Sequence, residues 1–277
     1  MRSTAGNAEL ALLLEVASTP KPGNVDRERE YDDLRFEHFL AGAVGARPGF
    51  ERAAGGEPIG EAFETAIEGM ADQRGGNTQF GAVLVVTPLV ATAASGDLTR
   101  ERAEEVVAGT TIEDAAGFYR AFERVDVAVD DPPEDMEPLD VRRGSDAVPV
   151  LRERGLSLSD VMERSADRDG VAAEWVGGFE RVFDAADRLL ARDGPVPDRA
   201  STVFLELLAE EPDTFVVTRN DRETAEEVTR RAQAVLDGEE DADALAEELI
   251  DRDVNPGTTA DLVAGALFVA LERGIEV

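Results

Sequence analysis

Cysteine is absent from the 277 residues, so the chain has no disulfide, no thiolate metal ligand and no cysteine nucleophile. A single histidine, His38, excludes any site built on two imidazoles. Positive charge is scarce. The 28 basic side chains stand against 60 acidic ones, a formal net charge of −32, which disfavours nonspecific contact with nucleic-acid phosphates and with anionic membrane surfaces. Lysine is nearly missing: Lys21 is the only one, and the other 27 basic residues are arginine. No opening pattern of basic residues, apolar run and small-residue cleavage site is visible over residues 1–7, so the cytoplasm is the expected location. One stretch, 75–96, is uncharged, but it contains Asn77, Thr78, Gln79 and Pro88. Its apolar part, 80–94, has the length of a buried helix rather than of a membrane span.

What is present is enough apolar material for a core, 43% of residues, beneath a heavily charged exterior, 32%. Folded-surface scaling gives a chain of 29.7 kDa roughly 11,600 Å² of exposed area, or about one carboxylate per 190 Å². The acidity therefore belongs to the whole surface. Together with the near-exclusive use of arginine, it points to adaptation to a salt-rich cytoplasm, in which concentrated ions screen repulsion that would otherwise loosen the fold. Molar KCl is expected to raise the unfolding midpoint over dilute buffer, by about 2–4 °C for each kcal/mol of repulsion relieved. Equal midpoints in the two solutions, followed by circular dichroism, would remove this reading.

Apolar periodicity predicts helices over residues 9–17, 34–44, 59–73, 78–94, 99–108 and 112–125. In the second half it predicts them over 157–165, 171–191, 199–209, 221–236, 242–251 and 258–272. Pro48 is expected to interrupt the second helix, and Asp130-Asp131-Pro132-Pro133 through Arg143 to form a long connection. Residues 214–218 are the only short β-branched run, too little for a sheet. The expected fold is all-α, a single globular multi-helix bundle over 1–277, with no fixed-period repeat.

Five segments carry residues suited to chemistry. In Thr19-Pro20-Lys21-Pro22-Gly23-Asn24-Val25-Asp26-Arg27, two prolines stiffen a loop, Gly23 allows close approach, Lys21 and Arg27 supply cations for phosphate, and Asp26 could hold a metal. A stiff interhelix loop with solvated charges explains it equally well. The retained lysine favours a role that a planar guanidinium cannot fill. Arg74-Gly75-Gly76-Asn77-Thr78-Gln79-Phe80-Gly81 runs into the apolar helix, where Asn77 or Thr78 can cap and bare amides can face an anion. It matches no nucleotide fingerprint such as G-x-x-x-x-G-K-[ST]. Asp167-Arg168-Asp169-Gly170 offers two carboxylates that could coordinate Mg²⁺ or simply cap a helix. Glu211 to Arg219 and Asn255-Pro256-Gly257-Thr258-Thr259-Ala260-Asp261-Leu262 complete the set, with Asp261 in the first turn of the last helix. His38 is given no role.

In this order the segments resemble the triphosphoribosyl-dephospho-coenzyme A synthase family. The matching pieces are Glu15-Val16-Ala17-Ser18-Thr19-Pro20-Lys21-Pro22-Gly23-Asn24-Val25-Asp26-Arg27, Gly75-Gly76-Asn77-Thr78 with Gly81, Asp213-Thr214, and Asn255-Pro256-Gly257 with Ala260-Asp261-Leu262. The chain departs from the bacterial pattern in having no histidine over residues 28–33 and Gln79-Phe80 in place of a histidine-lysine pair. It also reads Asn-Pro-Gly-Thr where Ser-Pro-Gly-Gly is usual, and looks more like an archaeal branch. The resemblance implies an all-helical fold and transfer of the ATP ribose to 3′-dephospho-coenzyme A with release of adenine, which makes a prosthetic-group precursor for carrier proteins of citrate lyase or malonate decarboxylase. Such a reaction passes through an oxocarbenium-like state and requires a held triphosphate and a deprotonated hydroxyl.

On that basis Asp26, Asp114 and Asp213 are the expected catalytic residues, with the identity of the base left open. Lys21, Gly23, Asn24, Arg27, Gly76, Asn77, Thr78, Gly81, Arg219 and Gly257 are expected to bind substrate or phosphate. Asp167, Asp169 and Asp261 are the expected ligands of Mg²⁺. The expected partners are small molecules, ATP and a dephospho-coenzyme A-like acceptor, with neither nucleic acid nor membrane. A metal-dependent nucleotide phosphohydrolase and a noncatalytic nucleotide-binding module are the alternatives.

Overall fold

The computed structural model describes residues 2–132 and 134–277, with the side chains of Glu134 and Asp135 left aside. Among them there is no strand. The helices are α1 (Thr4–Ala17), α2 (Phe36–Ala54), α3 (Ile59–Met70), α4 (Phe80–Ala94), α5 (Arg100–Ala108), α6 (Ile112–Ala121) and α7 (Val148–Arg154). They continue with α8 (Leu158–Ser165), α9 (Gly170–Val176), α10 (Glu180–Ala191), α11 (Val196–Glu210), α12 (Thr214–Arg219), α13 (Arg222–Leu236), α14 (Ala242–Asp251) and α15 (Gly257–Glu272). Two 3₁₀ turns, Glu134–Leu139 and Val141–Ala147, occupy the connection ahead of α7. The exposed surface, 11,749 Å², agrees with the scaling from mass.

Two helices that are apolar on nearly every side, α4 and α15, lie against each other at the centre, and α1, α2, α3, α10 and α11 wrap them. Gly81 faces Asp261 and Val85 faces Gly265, equal steps along both chains, so the two helices run parallel. Their N-termini, each preceded by one of the five segments, consequently open at the same end of the molecule.

Four expectations need correction. Pro48 does not interrupt α2, because Pro48 and Val44, whose carbonyl the missing amide would have bonded, both face solvent, and water can take that carbonyl. Residues 214–218 form the short helix α12 rather than extended chain, since the Asp213 carboxylate caps the amides of Phe215 and Val216. The helix expected over 171–191 is two, α9 and α10, broken where Gly178 and Phe179 take left-handed backbone angles (φ 67° and 59°). The last helix begins at Gly257, one residue ahead of the expected start at Thr258, with Pro256 preceding it.

Pro88 sits inside the buried helix α4 and leaves the Leu84 carbonyl without its helical partner. The indole of Trp175 donates to that carbonyl at 3.1 Å. Trp175→Phe is therefore expected to lose about 1–3 kcal/mol in denaturant titration, from the orphaned carbonyl and the smaller ring. The loss should shrink in a Pro88→Ala background, where the restored amide at position 88 can bond Leu84. Equal losses in both backgrounds would show that the indole does not serve the proline gap.

At the α9–α10 break, buried Glu174 accepts a hydrogen bond from the Val182 amide at 3.2 Å. Burial pushes its carboxyl from 4.5 up to about 7, with Arg181 pulling the other way. Between those values the folded chain holds a proton that the unfolded chain has released. Stability from this group thus falls as pH rises through that window and stays low above it. Glu174→Gln should gain on the order of 1–3 kcal/mol at pH 8 and almost nothing at pH 5. Parallel urea titrations at the two pH values decide it, and an equal change at both would contradict the assignment.

Candidate active site

Tertiary hydrogen bonds bring remote loops together at the end where α4 and α15 begin. Gly23, with φ 77°, lies so close to the last loop that a Cβ would sit 2.1 Å from the Val254 carbonyl oxygen, a contact and a backbone angle that suit glycine. Asn24 Nδ2 donates to the Pro256 carbonyl at 3.0 Å, and the Tyr31 hydroxyl donates to the Gly23 carbonyl at 2.7 Å. Asp213 ties α12 to α15: one carboxylate oxygen caps α12, and the other accepts from the Thr259 amide and hydroxyl, both at 2.7 Å. The Thr214 hydroxyl accepts from the Gly170 amide at 3.0 Å and lies 2.9 Å from the Thr258 hydroxyl, adding the start of α9 to the same cluster.

These loops enclose a cavity of about 1010 Å³, at the upper end of the usual range for small-molecule sites. Among the carboxylates that line it are three placed by helices: Glu15 near the end of α1, Asp169 capping α9, and Asp261 in the first turn of α15. Asp261 packs against Gly81, where a Cβ would stand 1.9 Å from Oδ2, and the nearby Ala82 amide favours its charged form. Burial, then the charges of Glu15, Asp213 and Asp169, hold the Asp261 carboxyl well above the usual carboxylate range. Burial also raises Glu15, against the pull of Lys21, whose ammonium it accepts; both side chains are closed off from solvent.

Arginines form the cationic part of the wall. Arg124 is tied to Glu64 and Glu68, and Arg219 lies 3.3 Å from Asp253. Arg164 and Arg168, at the end of α8 and in the turn after it, line the cavity and make no ion pair among the described residues. A third region is aromatic, where Phe80 and Phe118 pack on Phe122 with ring centroids 4.8 and 5.2 Å apart. No three His, Asp or Glu side chains among the described residues converge into a ready-made metal cluster. No helix among them is long and apolar enough to cross a membrane.

Of the residues selected from sequence, Asn24, Gly76, Asn77, Thr78, Gly81, Asp169, Arg219, Gly257 and Asp261 line this one cavity. Asn77 also caps α4, accepting from the Phe80 amide at 3.1 Å. Seven others lie off its wall. Lys21 is buried on Glu15 rather than presented to phosphate, and Gly23 serves the loop contact just described. Arg27 is exposed, donating to the Ala17 carbonyl. Asp26 staples its own loop, accepting from the Thr19 hydroxyl and from the amides of Lys21, Glu28 and Arg29. Asp114 caps α6 and binds the Gly60 amide, joining α6 to α3 away from the cavity. Asp167 is exposed in the turn before α9, and Asp213 has both oxygens engaged as a tie.

Glu15, Gln79, Asn255, Arg164 and Arg168 also line the cavity; all but Arg164 lie in the segments singled out above, where they have no assigned role. Glu15 had a signal, a lone acid closing the apolar run Leu10-Ala11-Leu12-Leu13-Leu14. The arginines had none, because nothing in linear order distinguishes an unpaired arginine from the many paired ones.

A search of curated protein sequences returned no match. A solved chain from Archaeoglobus fulgidus, provisionally assigned as a triphosphoribosyl-dephospho-CoA synthase, is 27% identical and superposes with a TM-score of 0.70 over 86% of this chain and 100% of its own. The family described as CitG, ATP:dephospho-CoA triphosphoribosyl transferase, matches residues 1–276. With that match spanning nearly all of the sequence and an all-helical relative of the same description, the chain belongs to the CitG family of ATP:dephospho-CoA triphosphoribosyl transferases.

Proposed function

We propose that this transferase joins C1 of the ATP ribose to a hydroxyl of 3′-dephospho-coenzyme A, or a closely related nucleotide, inside the cavity at the head of α4 and α15. The observation that carries the reading is that one cavity is lined both by the carboxylates Glu15, Asp169 and Asp261 and by Arg164 and Arg168, which make no ion pair among the described residues. The bond from C1 to adenine breaks and the bond from C1 to the acceptor oxygen forms; the acceptor hydroxyl gives up one proton and the departing adenine takes up one, so protons balance. Arg164, Arg168 and Arg219 are the cations for the triphosphate. Glu15, steadied by Lys21, is the carboxylate for the hydroxyl proton, and negative charge on the cavity floor favours the oxocarbenium-like state over the neutral substrate. The aromatic region around Phe122 suits a flat base or an apolar arm.

Asp169 and Asp261 are the side chains that would hold Mg²⁺. Magnesium is commonly bound by one or two carboxylates together with substrate phosphates, and crowding of like charge around Asp261 fits a site that gains a cation. Bound there, the ion would offset the charge of the triphosphate.

Incubation with Mg²⁺, ATP and 3′-dephospho-coenzyme A, followed by chromatography, is expected to yield free adenine in step with loss of the acceptor. Inorganic phosphate without adenine would mean a phosphohydrolase, and saturable binding without either product a binding module. The salt-adapted lifestyle inferred from composition belongs with this proposal, and the assay is best run in concentrated KCl.

A further inference from the structure

Six buried polar atoms among the described side chains lack a hydrogen-bond partner, and three of them, Thr78 Oγ1, Gln79 Oε1 and Asn255 Oδ1, belong to residues on the cavity wall. Gln79 is the most constrained. Its side chain is 4% exposed, and Nε2 donates to the Leu12 carbonyl of α1 at 3.2 Å. Turning the amide over would place Oε1 against that carbonyl, acceptor facing acceptor, so the bond to Leu12 decides which end is left bare. An unsatisfied buried acceptor weakens a fold unless something completes it.

We propose that Gln79 Oε1 is completed by a ribose hydroxyl of the bound nucleotide, making Gln79 a specificity residue of the reaction. This rests on the ribosyl-transfer reading above. Glutamine that reads adenine uses acceptor and donor together against N6 and N7, but here one amide hydrogen is already turned away to α1. Asn255 Oδ1 and the Glu15 and Asp261 carboxylates, which line the same cavity, offer further acceptors suited to the donors of a sugar diol.

Equilibrium binding of ATP, 2′-deoxy-ATP, 3′-deoxy-ATP and inosine triphosphate to the wild type and to Gln79→Met tests the assignment. The wild type is expected to bind ATP about tenfold more tightly than at least one deoxy analogue. Gln79→Met should lose that preference while keeping the wild-type ratio of ATP to inosine triphosphate. Gln79→Asn, which shortens the amide, should behave likewise and serves if the Met variant does not fold. Discrimination against the deoxy analogues that survives in the variants, or is missing from the wild type, overturns the proposal. So does a loss confined to the ATP-to-inosine ratio, which would assign the donor to the adenine amino group. Failure of the wild type to bind any of the four would bring down the ribosyl-transfer reading itself, and Gln79's role with it.

Discussion

Lys21→Met is expected to destabilise the protein by about 3–5 kcal/mol, because it leaves the Glu15 carboxylate buried without its cation. At roughly 2–4 °C per kcal/mol the unfolding midpoint should drop by about 6–20 °C. The double variant Glu15→Gln, Lys21→Met removes both charges and should recover most of the stability, since a buried ion pair contributes little beyond an apolar pair of similar volume. Adenine release should not recover with it, because the proton acceptor is gone. Lys21→Arg should rescue neither property: a planar guanidinium does not fit the closed space of a compact ammonium. A single Lys21→Met variant as stable as the wild type would refute the account.

Gly81→Ala should leave the fold near wild-type stability and reduce adenine release about a hundredfold. A Cβ at position 81 would stand 1.9 Å from Asp261 Oδ2, so the carboxylate must move by more than an ångström to restore normal contact. Displacements of that size in positioned groups lower rates by about 10²-fold. Asp261→Asn tests the same place by chemistry instead of space and should be at least as damaging. Unimpaired turnover by Gly81→Ala, with a thermal midpoint like that of the wild type, would remove Asp261 from the site.

The all-helical class was legible because apolar spacing carries it directly. The break at Gly178-Phe179 had a signal as well, the Gly177-Gly178 pair, but apolar spacing that continues on both sides of it outweighs the pair in a reading by periodicity. Pro48 and Pro88 look alike in sequence, yet one carbonyl is left to water and the other to Trp175, 87 positions further on in the chain. Local pattern therefore located proline correctly and misjudged its consequence.

For the site, the division falls between which segments matter and which atoms face the ligand. Composition, the lone lysine, the glycine-rich turns and the ordered motifs follow from residue identity and near-neighbour spacing, and they marked out the segments that meet at the cavity. Whether an aspartate binds, caps or ties depends on amides contributed from distant parts of the chain. Asp114 and Asp213 are engaged by such amides, those of Gly60 and Thr259, and Asp26 by amides of its own loop, while Asp169 and Asp261 line the cavity. Tertiary packing alone decided that, because a carboxylate has a fixed charge but takes its partners from whatever the fold places within about 3 Å.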